Sequence, residues 1–254
     1  MSIVEFERRG RIGIITLNRP ETRNAFDSQM AKALGAAVDE LEADAALRVG
    51  ILSATVTEPR PVFSSGHDLR TMEDERDGGE RAETELGGFA GIVRYPRKKP
   101  LVAAVDGLAT SGGLEVVLAC DLVVATARSS FALAEVKWGL IAGAGGLFRL
   151  PWAIGRAPAM DAILTGTPIS AERAYQLGLV STFVNADAVG AAIERAELIA
   201  GHAPLGVALS REVAAKAFSL SEQELWAEND RAGWEVMRSP ELVEGVAAFT
   251  QRRR

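Results

Sequence analysis

One stretch of 28 residues, "KPLVAAVDGLATSGGLEVVLACDLVVAT" (residues 99–126), limits the fold more than any other. A proline opens an apolar run of strand character. Gly112 and Gly113 then make a turn, a short apolar helix follows, and "CDLVVAT" reads as another buried strand. Apolar runs this short, punctuated by glycine, belong to strands and turns rather than to long helices. Within this run Glu115 is the one carboxylate between Asp106, in the turn, and Asp121. A carboxylate among small apolar residues is either a solvent-facing position on an amphipathic helix or a buried functional group, since buried carboxylates need partners.

The same texture extends on both sides. "IVEFERRGRIGIITLNRP" predicts two strands joined by a tight turn at Arg9-Gly10. "DSQMAKALGAAVDELEAD" has helical spacing, with Asp27 or Ser28 as N-cap. "RVGILSAT" predicts a short buried strand, and "VFSSGHDL" a glycine turn in which Asp68 is a candidate cap for the next helix. The charged segment 70–86, "RTMEDERDGGERAETEL", reads as a solvated loop or frayed helix, or alternatively as a flap beside a ligand site. "SSFALAEVKWGL" is extended or irregular, and "GAGGLFRLPWAIG" starts a helix. "ISAERAYQLG" is a short helix with Ser170 as cap, and "LVSTFV" a strand. Residues 186–254 alternate helical patterns with brief breaks and carry no strand signal. Strand–turn–helix units followed by a helical tail indicate an α/β core with an all-helical C-terminal part.

Bulk properties narrow the function classes. The chain has 254 residues, 48% hydrophobic and 24% charged, as expected of a globular protein with a sizeable core. A net charge of −6 gives no general nucleic-acid footprint, so an anionic ligand needs local basic groups. A single cysteine, Cys120, cannot form an internal disulfide and reads as a reduced core residue. With His67 and His202 as the only histidines, a zinc site is not expected. "MSIVEFERRG" lacks a signal-peptide pattern, and no apolar run is long enough to span a membrane. The expectation is a cytoplasmic protein without membrane or nucleic-acid partners.

Several catalytic templates fail. "GAGGLF" has Phe148 where a dinucleotide fingerprint needs its last glycine, and neither a P-loop nor a G-x-S-x-G elbow occurs. Ser65, His67 and Asp68 lie too close in sequence to converge as a triad. What remains is two glycine turns, Gly66–His67 and Gly112–Gly113, each after an apolar strand, with Glu115 and Glu135 downstream. Such turns can leave backbone N–H groups pointing outward, the second at a helix start that favours negative charge. Two converging donors would stabilise an enolate oxygen, and two carboxyls can supply acid and base.

Those residues carry a resemblance. "VFSSGHDL" resembles the F-x-x-G-x-D-[LI] signature of the enoyl-CoA hydratase/isomerase, or crotonase, superfamily, and the 28-residue stretch resembles that family's central block. "LNRPETRNAF", "FALAEVKWGLIAGAGGLFRLP" and "TGTPISAERAYQLGLV" also fit, in the right order, so the similarity covers essentially the whole chain. It implies a crotonase-like spiral of repeated ββα units over residues 1–190, followed by a C-terminal helical trimerisation region over residues 191–254. It also implies a homotrimer or a hexamer built as a dimer of trimers.

By the same resemblance, the oxyanion donors are the backbone N–H groups of His67 and Gly112. The catalytic pair is Glu115, activating a water for attack at C3, and Glu135, exchanging the proton at C2, with Gly143 helping to position that water. Ser65 falls where the family contacts adenine, and Arg23 and Arg252 fall near positions that meet the coenzyme A phosphates. Arg252–Arg254 read equally well as a solvated tail, and Lys98 and Lys99 carry the same ambiguity. Trp138 and Phe148 are acyl-pocket candidates, or packing aromatics behind it.

The implied activity is reversible hydration of 2-trans-enoyl-CoA to 3-hydroxyacyl-CoA, in fatty-acid or related acyl-CoA metabolism, with no metal and no cofactor beyond the thioester substrate. Retention of both glutamates favours a hydratase. The alternatives are a dehydratase like carnitinyl-CoA dehydratase, a Δ3,Δ2-enoyl-CoA isomerase, and an idle acyl-CoA binder. The sequence departs from the family pattern where Ala134 and Ala142 replace prolines, which loosens backbone restraint beside Glu135 and Gly143. His67 stands where alanine is more common, and the end at "FTQRRR" implies a shortened coenzyme-binding terminus.

Overall fold

The computed structural model describes residues 2–56 and 58–252, the last without its side chain. Arg253 and Arg254, and the side chain of Arg252, thus lie outside the described residues. The chain opens as expected, with β1 (Val4–Arg9) and β2 (Ile12–Leu17) paired antiparallel across a turn whose Gly10 has a φ of +60°. Helix α1 (Ser28–Ala43) follows, and the Asp27 side chain caps it by accepting from the Met30 amide.

Three ββα turns then build the core. β3 (Val49–Ala54) and β4 (Val62–Ser64) lead to the short α2 (Met72–Arg76) and to a small hairpin of β5 (Glu83–Thr84) and β6 (Gly88–Phe89). β7 (Leu101–Val105) and β8 (Leu108–Thr110) lead to α3 (Gly112–Leu118). β9 (Leu122–Thr126) and β10 (Ser130–Ala132) lead through a 3-10 turn at Glu135–Trp138 to α4 (Gly146–Ile154) and α5 (Arg156–Thr165). In each turn the first strand joins one sheet and the second strand joins another. The larger sheet runs β1-β2-β3-β7-β9-β12 and is parallel from β2 onward. The smaller runs β11-β10-β8-β4. β11 (Ile169–Ser170), α6 (Ala171–Leu177) and β12 (Thr182–Val184) close the spiral, with the Ser170 side chain accepting from Arg173 N as the cap.

Why this arrangement holds follows from the strand sequences. Both faces of the larger sheet are covered, so its strands are continuous apolar runs rather than alternating ones. Ile15, Leu17, Leu52, Leu101 and Ala103 face the main core with α1 and the smaller sheet. Ile12, Ile14, Ile51, Val102 and Val124 face the opposite side, under Ala192, Ile193 and Ala196 of α7 (Ala188–Ala200). The division expected at residue 190 falls inside α7, whose buried face belongs to the sheet. The helices that leave the sheet are α8 (Pro204–Ala215), α9 (Glu222–Met237) and α10 (Pro240–Arg252). Their outer faces hold exposed Trp226, Trp234, Met237 and Val243.

Two local expectations change. Asp68 caps no helix: its carboxylate accepts from the Arg70 amide and pairs with the Arg70 guanidinium, and α2 begins at Met72 behind Thr71. The segment 70–86 is neither wholly loop nor one frayed helix, because α2 and β5 order it against the rest of the spiral.

Candidate active site

The ends of β4 and β8 deliver the two glycine turns to one place. Gly66 has a φ of +89°, which only glycine adopts cheaply, and a Cβ there would come within 2.7 Å of the Gly112 nitrogen. Residues 23–26 stitch the first turn down. Ser65 N donates to the Arg23 carbonyl at 3.0 Å, Phe26 N to the Gly66 carbonyl at 2.7 Å, and Asp68 N to the Phe26 carbonyl at 2.8 Å. Asn24 anchors that stretch in turn, donating to the carbonyls of Thr55 and Phe63 and accepting from Arg19 N. In an extended strand alternate amides point opposite ways, so the His67 N–H faces away from Phe26, toward the second turn.

The second turn is fixed by Ser111 N donating to the Ala132 carbonyl at 2.8 Å. Ser111 sits at φ +53°, ψ −128°, a conformation costly for a residue with a side chain and most often kept at functional sites. Beyond it, α3 starts with Gly112, whose N–H has no intrahelical acceptor. The His67 nitrogen lies 3.3 Å from where a Gly112 Cβ would stand. Neither amide donates to any group among the described residues. Gly113 carries the packing demand of this turn: a Cβ there would meet the Ser64 carbonyl oxygen at 2.4 Å.

Glu115 does not face solvent. It is 3% exposed on the first turn of α3, and its Oε1 accepts from the amides of Ala144 at 2.7 Å and Gly146 at 2.8 Å. Burial pushes its carboxyl up to about 7, the Glu135 charge adds to the rise, and the two amides and Arg149 pull it back. Glu135 is 8% exposed at the start of the 3-10 turn after β10. Its carboxyl is also raised by burial, against the pull of its own amide and Ser111, and its Oε2 is buried without a hydrogen bond among the described residues. Each glutamate therefore keeps one oxygen that the protein does not engage.

Both carboxyls, the His67 and Gly112 turns, Ser65 and Gly143 line one cavity of about 380 Å³. Trp138 stands at its mouth, 70% exposed, rather than in a packed core. Phe148 is half-exposed, with its ring 5.0 Å from that of Trp152, which stacks on Phe218. Arg23 is exposed next to Ser65. Arg252 ends α10, with its side chain outside the described residues. Lys99 is committed elsewhere, donating to the carbonyls of Leu41 and Asp44.

These elements have relatives. The profile of the family described as enoyl-CoA hydratase/isomerase matches residues 7–254. The chain belongs to the enoyl-CoA hydratase/isomerase family. The crystal structure of an enoyl-CoA hydratase from Mycobacterium tuberculosis H37Rv superposes with a TM-score of 0.91 at 40% identity, covering 99% of this chain and 97% of that one. A protein of Rhizobium meliloti (strain 1021) named as a probable enoyl-CoA hydratase is 34% identical over 98% of this chain and 95% of its own length. A carnitinyl-CoA dehydratase of Salmonella arizonae is also 34% identical, over 97% of this chain and 94% of its own. The crotonase fold is thereby established for the spiral, with its helical C-terminal region.

Some site residues gave no readable signal in the sequence. The amides of Ala144 and Gly146 that hold Glu115 lie about thirty residues downstream, and backbone donors have no side-chain signature. Arg149 braces that loop, donating to the carbonyls of Val93 at 2.6 Å and Ala144 at 3.3 Å. Glu75 lies in the charged run, where nothing marks it apart from its neighbours. Yet its carboxylate, 9% exposed, meets the His67 ring at 2.8 Å.

Proposed function

We propose that this enzyme catalyses the reversible addition of water to 2-trans-enoyl-CoA thioesters, giving 3-hydroxyacyl-CoA. One observation carries the reading: Glu115, Glu135 and the unengaged amides of His67 and Gly112 surround one cavity. Water is a poor nucleophile, and charge arriving at C2 needs a place to reside. The two N–H groups take the thioester oxygen as it becomes an enolate, a role in which losing one donor costs about 3–4 kcal/mol. The free oxygen of Glu115 accepts a proton as the water oxygen bonds to C3, and Glu135 delivers a proton to C2. Raised carboxyl pKa values suit both tasks near neutrality. Gly143 completes the water site in this reading. The steps are proton transfer and charge stabilisation, which ask for no metal or redox cofactor.

The coenzyme A moiety would run past Ser65, with Arg23 and Arg252 toward its phosphates. Exposed Trp226, Trp234 and Met237 on the outer helices support a homotrimer, or a pair of trimers, assembled through the region after α7. The relative named carnitinyl-CoA dehydratase supports a second reading, in which the same groups run the elimination of water from a polar 3-hydroxyacyl thioester. Incubation with crotonyl-CoA, following loss of the enoyl-thioester absorbance, tests the reading. Hydration is expected, falling at least about 10²-fold in Glu115→Gln and in Glu135→Gln. Unchanged rates in both variants would refute the assigned roles.

A further inference from the structure

The cavity holds a polar cluster that hydration of an alkyl enoyl thioester does not require. His67 and Glu75 both line it, with side chains 27% and 9% exposed. His67 Nε2 and Glu75 Oε1 are 2.8 Å apart, and the same Oε1 accepts from the Thr71 hydroxyl at 2.8 Å. Phe89 packs edge-on to the imidazole at 5.7 Å, which holds the ring in place. A carboxylate that fixes one ring nitrogen sets the orientation of the other. Nδ1 makes no hydrogen bond among the described residues. Because His67 also supplies one of the two amides beside Gly112, this imidazole lies within its own side chain's length of the proposed thioester site.

An alkyl chain lying here would strip water from Nδ1 and from the remaining capacity of Glu75, a cost repaid by nothing. Fixed charges on this side of the cavity balance: Glu75 and Glu83 stand against Arg81 and Arg94, with Arg81 paired to Glu83 at 3.2 Å. That balance favours neither a cationic nor an anionic acyl group. A hydroxyl both donates and accepts, so it satisfies Nδ1 in either protonation state of the ring.

We infer that the acyl arm is built for a neutral, hydroxyl-bearing enoyl group, read by His67 as positioned by Glu75 and Thr71. The inference rests on the acyl-thioester reading of the cavity above. It therefore places the substrate downstream of a reaction class that hydroxylates an acyl chain or activates a hydroxy acid as its thioester.

The test compares isosteric pairs on the full-length protein: 4-hydroxybut-2-enoyl-CoA against pent-2-enoyl-CoA, and 5-hydroxypent-2-enoyl-CoA against hex-2-enoyl-CoA. At least one hydroxylated member is expected to show about tenfold or greater advantage in kcat/KM, the worth of one buried hydrogen bond. Glu75→Leu and His67→Leu should bring that ratio close to one, and the milder Thr71→Val should reduce it. A merely structural tie would lower both members equally, and an unmoved ratio overturns the inference. So does a wild-type protein that turns over each alkyl member as well as its hydroxyl partner. Calorimetry with 4-hydroxybutanoyl-CoA and pentanoyl-CoA separates this from the hydration reading. Tighter binding of the hydroxyl thioester without turnover of any enoyl substrate upholds the inference and sinks hydration. Turnover with equal affinities does the reverse, and no binding of either sinks both.

Discussion

The two walls of the cavity are made by opposite means. The wall formed by α3 and the loop that ends at Gly145 and Gly146 is largely buried and backbone-held, with Glu115 3% exposed between two amides. The facing wall, residues 70–86, is mostly exposed and tied by side-chain pairs such as Lys32–Glu80 at 2.7 Å and His67–Glu75 at 2.8 Å. The difference teaches where chemistry and selection can reside. A group that must act within tenths of an ångström sits on backbone that packing over-determines. A group that discriminates between acyl chains can sit on a segment whose residues, the buried Ala82 apart, change at little cost to the core.

If that contrast is right, substitutions on the buried wall should do far more damage. The largest effect is expected for Gly112→Ala. A Cβ there would lie 2.6 Å from the Phe89 ring and 3.3 Å from the His67 nitrogen, in the space where the proposed thioester oxygen would sit. Loss of this donor geometry should lower kcat/KM for crotonyl-CoA about 10²–10³-fold, while circular dichroism stays native. Gly113→Ala next door should act on stability instead. Its Cβ meets a main-chain oxygen that cannot swing away, so chemical denaturation should show a loss of about 1–3 kcal/mol.

A third expectation separates function from stability at Glu115. Its folded carboxyl is raised above the unfolded value, so its favourable contribution is complete below about pH 4.5 and is lost as pH rises through about 7. Glu115→Gln should therefore leave stability unchanged at pH 4 and raise it at pH 8, by about 1–3 kcal/mol. The acid limb of the pH–rate profile near 7 should disappear with it. On the exposed wall, Lys32→Ala or Glu80→Ala should move stability by less than about 1 kcal/mol, as exposed pairs do. A loss on that wall matching Gly113→Ala would erase the contrast.

The same contrast explains what the sequence made legible. The caps at Asp27 and Ser170, the strand–turn–helix rhythm and the family blocks all fall on segments where local chemistry and global packing agree. Phe148 read two ways because an aromatic on a helix start can face a pocket or a neighbour, and its contact with Trp152 depends on α4 packing that no spacing encodes. Asp68 looked like a cap because the Arg70 pairing that engages it depends on a turn geometry no spacing encodes. The packing of α7 on the larger sheet was not legible, because a helix rich in alanine gives no sign of which surface its small face covers. Glu75 was hidden by company, one of several acids in a charged run.

That the two carboxyls work as one acid–base pair in hydration is the claim beneath the rest, and a double-mutant cycle on crotonyl-CoA hydration tests it most directly. Groups that work as a unit are strongly non-additive. The double variant Glu115→Gln/Glu135→Gln should retain a rate within about tenfold of the slower single variant. Losses that multiply, about 10⁴-fold where each single costs about 10²-fold, would mean that the two glutamates act independently and would contradict the account.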